Sequence, residues 1–298
     1  MKIACIGGAH IDRHSVLKSA AVPGTSNPGN ITTTFGGVAR NVAENLTRLG
    51  RRVTLVSRVG DDEAGRAVVA HLDSLGIDTS MISVAARPTA SYTAILEPNG
   101  ELVIGLADMD IYDEITPRRL HLARLREHDL WFADANLRAA TLAWLVDRAP
   151  VAVDAISVAK ARKLRGLLPK IAILFATVVQ AAEIAQVGRF SSAVEAARAL
   201  HRQGARAGVV TSGAAGIAVW TGEDTRSMDV FPAEPKDVTG AGDALISGTL
   251  FGVTDGLAIT QAARLGLAAA AITVESGATV AENLSVELLH ARLAANRG

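Results

Sequence analysis

The run Gly240-Ala241-Gly242-Asp243, followed at once by the apolar segment from Ala244 to Val253, constrains this chain more than any other stretch. The segment reads as a helix. A helix entered through Gly-Ala-Gly has its first amide N–H groups unpaired and unobstructed at the positive end of the macrodipole, where phosphate oxygens can settle. Asp243 falls in the first turn, so its carboxylate would lie beside such a phosphate, within reach of a hydroxyl brought in to attack it. With Asp243 as proton acceptor and the amides of Gly240, Ala241 and Gly242 as an anion hole, this arrangement describes phosphoryl transfer. Glycine turns and first-turn aspartates also serve capping and dipole compensation alone. On these four residues the two readings stand about even.

The remainder of the chain reads as alternating strands and helices. Lys2 to Ile6 is a buried strand, followed by Gly7-Gly8-Ala9-His10-Ile11-Asp12 as a loop. Gly36-Gly37 opens a helix with Val38, Val42, Leu46 and Leu49 on one face, which Gly50 ends. The strand Val53 to Ser57 and a helix carrying Val68, Val69, Leu72 and Leu75 come next, so a mainly parallel sheet is expected. Further strands are read at Leu130 to Asp134, Val151 to Asp154, Ile171 to Phe175, Gly208 to Thr211 and through Trp220, with helices at Ser191 to Gln203, Ile259 to Ser276 and Val286 to Ala295. Two Thr-rich or alternating regions, about 14–35 and 88–108, stand apart as strands of a small separate sheet, the second as a hairpin around Pro98-Asn99-Gly100.

Ligands of open α/β sheets gather at the carboxyl ends of strands, which draws attention to Asp12, Asp108 and Asn136. Asn41, on the helix after Gly36-Gly37, could orient a polyol. Each has a plain alternative as a cap or element end, and Asp134 as a structural acceptor. With 298 residues, 49% hydrophobic and 20% charged, one large core is affordable. Thirty basic residues balance thirty acidic ones, which excludes a whole-chain field for nucleic acid or anionic membrane. The single cysteine, Cys5, rules out an intrachain disulfide and fits a reducing, cytoplasmic setting. No apolar run is long enough to span a membrane. A P-loop sequence and a Rossmann fingerprint are both missing.

Asp237-x-Thr239-Gly-Ala-Gly-Asp243 resembles the signature of the ribokinase-like, or PfkB-type, sugar and nucleoside kinases, and Gly36-Gly37-x-x-x-Asn41 resembles their N-terminal signature. The similarity covers nearly the whole chain. Ser26-Asn27-Pro28-Gly29, Gly-Gly-Val-Ala-Arg-Asn and the segments around Asp108 and Asn136 are most similar to the pseudouridine-kinase branch. The resemblance implies an α/β fold, a three-layer α/β/α sandwich with a mainly parallel central sheet and a small β-sheet lid, within a single domain over 1–298. It implies transfer from ATP, with Mg2+ and a K+ loop near Gly277-Ala278-Thr279, to the 5′-hydroxyl of a nucleoside. It places substrate at Asp12, Gly36, Gly37, Asn41, Asp108 and Asn136, nucleotide at Thr211, Gly213, Gly216 and Thr239, and a homodimer interface on the lid. Other nucleosides or ribose-like sugars are the alternative acceptors.

One departure stands out. Where the family has Asn-x-x-Glu to organise magnesium-bound water and phosphate, this chain has Thr177-Val-Val-Gln180, polar but without the negative charge. That change supports a second expectation, a nucleoside- or sugar-binding protein with weakened catalysis.

Overall fold

A computed structural model describes residues 1–296. The first strand, β1 (Lys2–Ile6), is fully buried from Ile3 onwards, a pattern that only a sheet covered on both faces accepts. The chain continues through β2 (His10–Leu17), β3 (Gly29–Gly36), α1 (Val38–Arg48), β4 (Arg52–Gly60), α2 (Glu63–Ser74) and β5 (Asp78–Ala85). It then forms β6 (Ser91–Leu96), β7 (Leu102–Asp108), α3 (Leu122–Leu125), β8 (Leu130–Asp134), α4 (Ala139–Val146), β9 (Val151–Asp154) and α5 (Val158–Ala161). The last part comprises β10 (Ile173–Thr177), α6 (Val178–Ala185), α7 (Ala193–Arg202), β11 (Ala207–Thr211), β12 (Ile217–Thr221), β13 (Asp224–Met228), α8 (Ala241–Thr254), α9 (Ile259–Ser276) and α10 (Val286–Ala295).

Nine strands form the large sheet in the order β13-β12-β11-β10-β9-β8-β1-β4-β5, parallel except where β12 and β13 run antiparallel at one edge. Along β1 the side chains alternate between two cores. Ile3 and Cys5 join Val42 of α1, Leu250 of α8 and Ala268 of α9, whereas Ala4 and Ile6 join Leu142 of α4 and Leu200 of α7. The molecule is thus a three-layer α/β/α sandwich, as expected. The Cys5 thiol lies in the first core, and burial, followed by the charge of Asp134, pushes its pKa up.

A second sheet, ordered β3-β2-β6-β7, stands apart from the large one. It is antiparallel except for the β2–β6 pair.

Several expectations need correction. His10 to Asp12, read as loop, belong to β2, and Arg58 to Gly60 continue β4 instead of leaving it. The edge strands β5 and β13 escape a reading by hydrophobic pattern because half of β5 and most of β13 is polar and their apolar residues do not alternate cleanly. Helix α1 is buried all round from Ala39 to Leu46 and not on one face alone, since it packs between β4 and α8.

Candidate active site

The chain builds from β1 outward to β4 and β5, then crosses back to place β8 on the other side of β1, so the sheet's switch point lies between β1 and β8. The carboxyl ends there carry the polar groups. Gly7 and Gly8 follow β1, Asp134 ends β8, Asp154 ends β9 as its register partner, and Thr177 and Thr211 end β10 and β11 opposite one another.

Helix α8 approaches this edge with its N-terminus. Gly240 caps it in the left-handed region at φ 79°, and a Cβ on this residue would stand 1.8 Å from the Thr279 carbonyl oxygen, so only glycine closes the turn. The Ala241 amide turns back to the Val238 carbonyl at 3.3 Å, and Ala244 is the residue whose amide reaches the Gly240 carbonyl, at 2.9 Å. Of the three amides expected to form an anion hole, that of Ala241 is thus engaged within the turn, and the amides of Gly242 and Asp243 follow it at the helix start. A Cβ on Gly242 would meet open space.

That open space is a cavity of about 500 Å3 bounded by Ala241, Gly242, Thr211, Gly213, Phe231 and Val274. Thr211 supplies the single polar side chain among its lining residues. Gly216 shapes the neighbouring turn beneath the Met228 carbonyl, and the Thr239 amide is taken by the Asp237 carboxylate at 2.8 Å, so neither lines the cavity.

Where the cavity ends, Asp243 begins. Its Oδ2 accepts the Asn41 Nδ2–H at 2.6 Å across 202 residues of sequence. Burial raises its carboxyl pKa to about 6, the Asn41 hydrogen bond and the Arg40 charge pull it down, and Asp134 and Asp12 push it up again. A carboxylate held in this way is ionised at neutral pH and still a competent proton acceptor. Asp154 lies close enough that burial, then the Asp243 charge, holds its own carboxyl well above the usual range.

The small sheet brings Asp12 to the same place. Buried Tyr112 accepts the Ala9 amide at 2.9 Å and lies 3.0 Å from His10 Nδ1, while His10 Nε2 lies 3.1 Å from Asp12 Oδ1. A tyrosine hydroxyl that donates to Nδ1 assigns the ring proton to Nε2, which then faces Asp12. A Cβ on Gly36 would overlap the Asp12 carboxylate, and one on Gly37 would stand 2.3 Å from the Gly8 carbonyl oxygen. Asp134 is fully buried and accepts the amides of Gly8 at 2.8 Å, Ala39 at 3.1 Å and Asn136 at 2.9 Å. It is a structural acceptor that ties β1, α1 and β8 together. Asn136 is buried and receives the Lys160 ammonium on its side-chain oxygen. Asp108 sits exposed at the end of β7, level with Ile11 through the register Ile11–Ser91–Asp108.

Thr177 and Gln180 are occupied with each other. Thr177 caps α6 by accepting the Gln180 amide at 3.2 Å, and Gln180 Oε1 accepts the Thr177 amide at 2.8 Å, a complete capping box. The departure from the family pattern thus builds a helix start. Thr177→Ala is expected to lower stability by about 1 kcal/mol, read as a fall in Tm, with KM for acceptor unchanged.

Arg40, Asp154, Lys160 and Tyr112 are the site residues that sequence reasoning misses. Arg40 and Glu44 form an i,i+4 pair, which from sequence alone describes a solvated helix face. Among the described residues no three His, Cys, Asp or Glu side chains converge to hold a metal ion, and no helix is long and apolar enough to cross a membrane.

An α/β sandwich with a helix N-terminus, an apolar cavity and a carboxylate meeting at its switch point defines a group-transfer enzyme acting on a phosphorylated donor. The model of the pfkB family of carbohydrate kinases matches residues 1–285, and the chain belongs to that family. Pseudouridine kinase of Escherichia coli K12 is 31% identical over 296 residues, covering 95% of this chain and 94% of its own. A carbohydrate kinase structure from Agrobacterium tumefaciens superposes with a TM-score of 0.85 at 40% identity, covering 98% of this chain and 97% of its own. The Arabidopsis thaliana ribokinase complexed with ribose and ATP gives 0.82 at 19% identity, over 97% and 98% of the two chains, a likeness of fold. The protein is a phosphotransferase acting on a sugar or nucleoside hydroxyl.

Proposed function

We propose that this enzyme transfers the γ-phosphoryl group of ATP to the 5′-hydroxyl of a nucleoside, pseudouridine before others, with Asp243 accepting the hydroxyl proton. The observation that carries this reading is the position of Asp243 between the two halves of the site. The apolar cavity suited to a nucleotide base ends at Gly242, and Asp12 and Arg40 lie near enough on the other side to act on the Asp243 charge. As the hydroxyl oxygen attacks the γ-phosphorus, its proton passes to Asp243 and the bond to the β-phosphate oxygen breaks, leaving ADP. The Gly242 and Asp243 amides and the α8 dipole favour the negative charge on the transferring group.

Magnesium fits as an ion carried in on the nucleotide's phosphates. The half-buried Asp154 carboxylate, one oxygen of which accepts the Ile156 amide at 3.0 Å, is the group that would reach it or its waters. Bound there, the ion would supply positive charge beside the transferring phosphate.

Substrate choice rests on the 31% identity to pseudouridine kinase and on the polar pair Asn136–Lys160 at the acceptor side. The test is ADP release with ATP and magnesium across pseudouridine, uridine, cytidine, adenosine, inosine and ribose, each against its own blank without acceptor. Selective turnover of pseudouridine is expected. Preference for another acceptor removes the pseudouridine assignment and keeps the mechanism, and binding without turnover means that the loss of Asn-x-x-Glu has left a binding protein.

The small sheet closes over the acceptor and pairs with a second copy of the chain in the same proposal. Ile31, Ile104 and Leu106 lie on the face opposite Asp12 and are 69%, 58% and 70% exposed. Such a row on a monomer is costly. Light scattering is expected to give a dimer mass, and Leu106→Glu a monomer; a monomeric wild type at micromolar concentration removes the dimer.

A further inference from the structure

Arg40 is 3% exposed, a buried charged side chain. Its guanidinium reaches three acceptors. Nη1 donates to Glu44 Oε2 at 2.5 Å, and Nη2 donates to the Phe35 carbonyl at 2.7 Å and to Asn41 Oδ1. Glu44 is held in turn by Arg48 at 2.7 Å, and its other oxygen faces His71 at 3.5 Å, whose ring stacks on Phe35. The guanidinium is thus clamped from both sides. Its main-chain amide is fixed too, on the Gly8 carbonyl at 3.1 Å.

Asn41 stands between this guanidinium and Asp243. A primary amide has a donor end and an acceptor end, and a cation on one side with a carboxylate on the other admits one orientation. The cation takes Oδ1, so the Nδ2–H2 end faces Asp243. The orientation matters most when Asp243 carries a proton. A free asparagine could then turn over and accept that proton in a hydrogen bond, which stabilises the acid form and weakens the base. An asparagine whose oxygen is already held by a guanidinium offers Asp243 only N–H, which favours the carboxylate.

We propose that Arg40 is a positioning residue for phosphoryl transfer: it locks the Asn41 amide with its N–H2 end toward Asp243 and so keeps that carboxylate a proton acceptor. The inference rests on the reading of Asp243 as the base. Asp243 is faced by Arg40 and Asn41 from α1, Asp12 from β2, Asp134 from β8 and Asp154 from β9, and Arg40 is the one cation in that set. Burial, then Asp134 and Asp12, press its pKa upward, and the locked amide and the guanidinium oppose them. Lysine in place of Arg40 would keep a charge but, as a point donor without the planar fork, could not serve Glu44, Phe35 and Asn41 together.

The experiment compares the pH dependence of kcat/KM for wild type, Arg40→Met, Arg40→Lys, Asn41→Ala and Asp243→Asn, all with the same donor and acceptor so that titration of the substrates cancels. The acid limb of Arg40→Met is expected to move up by about one pH unit relative to wild type, a tenfold loss at pH values below both midpoints, with KM for ATP unchanged. Arg40→Lys should move by less. Asn41→Ala should show a comparable shift, and the pair Arg40→Met with Asn41→Ala little more than either alone, because the two act as one unit. If Arg40→Met does not fold, Arg40→Lys and Glu44→Gln, which loosens the clamp, must still shift the limb in the same direction. An unshifted limb in the folded Arg40 variants, with altered Tm alone, reduces Arg40 to a structural residue and overturns the proposal. An Asp243→Asn enzyme with wild-type turnover and pH profile overturns the base assignment instead, whatever the Arg40 variants do.

Discussion

Asp243→Asn is expected to lower kcat by about a hundredfold to ten-thousandfold, the range that a positioned general base supplies, while the Kd for nucleoside stays within a few-fold. Asparagine keeps the size of the side chain and its bond to Asn41 but cannot take a proton. The pH profile gives a second reading of the same group. The base must be ionised, and its pKa in the fold is about 6, so kcat/KM should be flat above pH 7 and fall tenfold per unit below pH 6. Stability should move the other way. A carboxylate whose pKa rises from 3.8 to about 6 on folding binds its proton more tightly in the native state. Its ionisation therefore costs nothing below pH 4, begins to weigh between pH 4 and 6, and weighs in full above 6, by at most about 3 kcal/mol. Removing the charge should raise Tm at pH 7 and leave it unchanged at pH 4. An inactive variant with a lowered Tm at pH 7 would point to a damaged helix start in place of a missing base.

The second large effect separates two glycines that stand two residues apart. Gly240→Ala must adopt φ 79° and bring a methyl group to 1.8 Å from the Thr279 carbonyl oxygen. Left-handed backbone costs an alanine about 1–2 kcal/mol, and the forced retreat of the 279 loop adds about 1–3 kcal/mol. A fall in Tm of roughly 5–15 °C is expected for a chain of this size, with activity lost because the α8 amides lose their aim. At Gly242 an added Cβ meets no neighbour, so the Tm of Gly242→Val should stay close to wild type. Its side chain would instead fill the space where phosphate approaches, raising KM for ATP by about tenfold or more while acceptor binding persists. Equal Tm losses in both variants would mean that Gly242 is a packing residue as well.

Much of the fold was legible because its signals are local. β1 is an uninterrupted apolar run, α9 an alanine-rich segment read with the observed boundaries, and the α8 entrance announces itself within seven residues. The misses share a cause. β5 and β13 lie at the sheet's edges, where one side faces solvent and hydrophobic pattern fades. The loop reading of His10 to Asp12 fails because the chain passes from one sheet into another within three residues of β1's end, which no periodicity reports. In the site, Asp243 could be singled out from its neighbours in sequence, but its partner could not. Asn41 reads as a polyol ligand, and the structure directs its amide to a carboxylate that only the packing of α1 on α8 brings near. Thr177 and Gln180 read as a lost charge, and their three-residue spacing is equally that of a capping box; what the family pattern frames as a deficit, the geometry turns into a helix start.

The cavity beside α8 has a consequence for economy in the cell. If the donor's base sits there as proposed, walls of alanine, valine, proline and phenylalanine, with a lone threonine hydroxyl, would grip the flat face of a purine but have few side-chain hydrogen bonds with which to tell an amino group from a carbonyl on its edge. Apolar walls discriminate between such isosteres only weakly. On that proposal, which triphosphate is spent would follow from abundance, and the supply of donors would do the choosing that the protein's side chains leave undone.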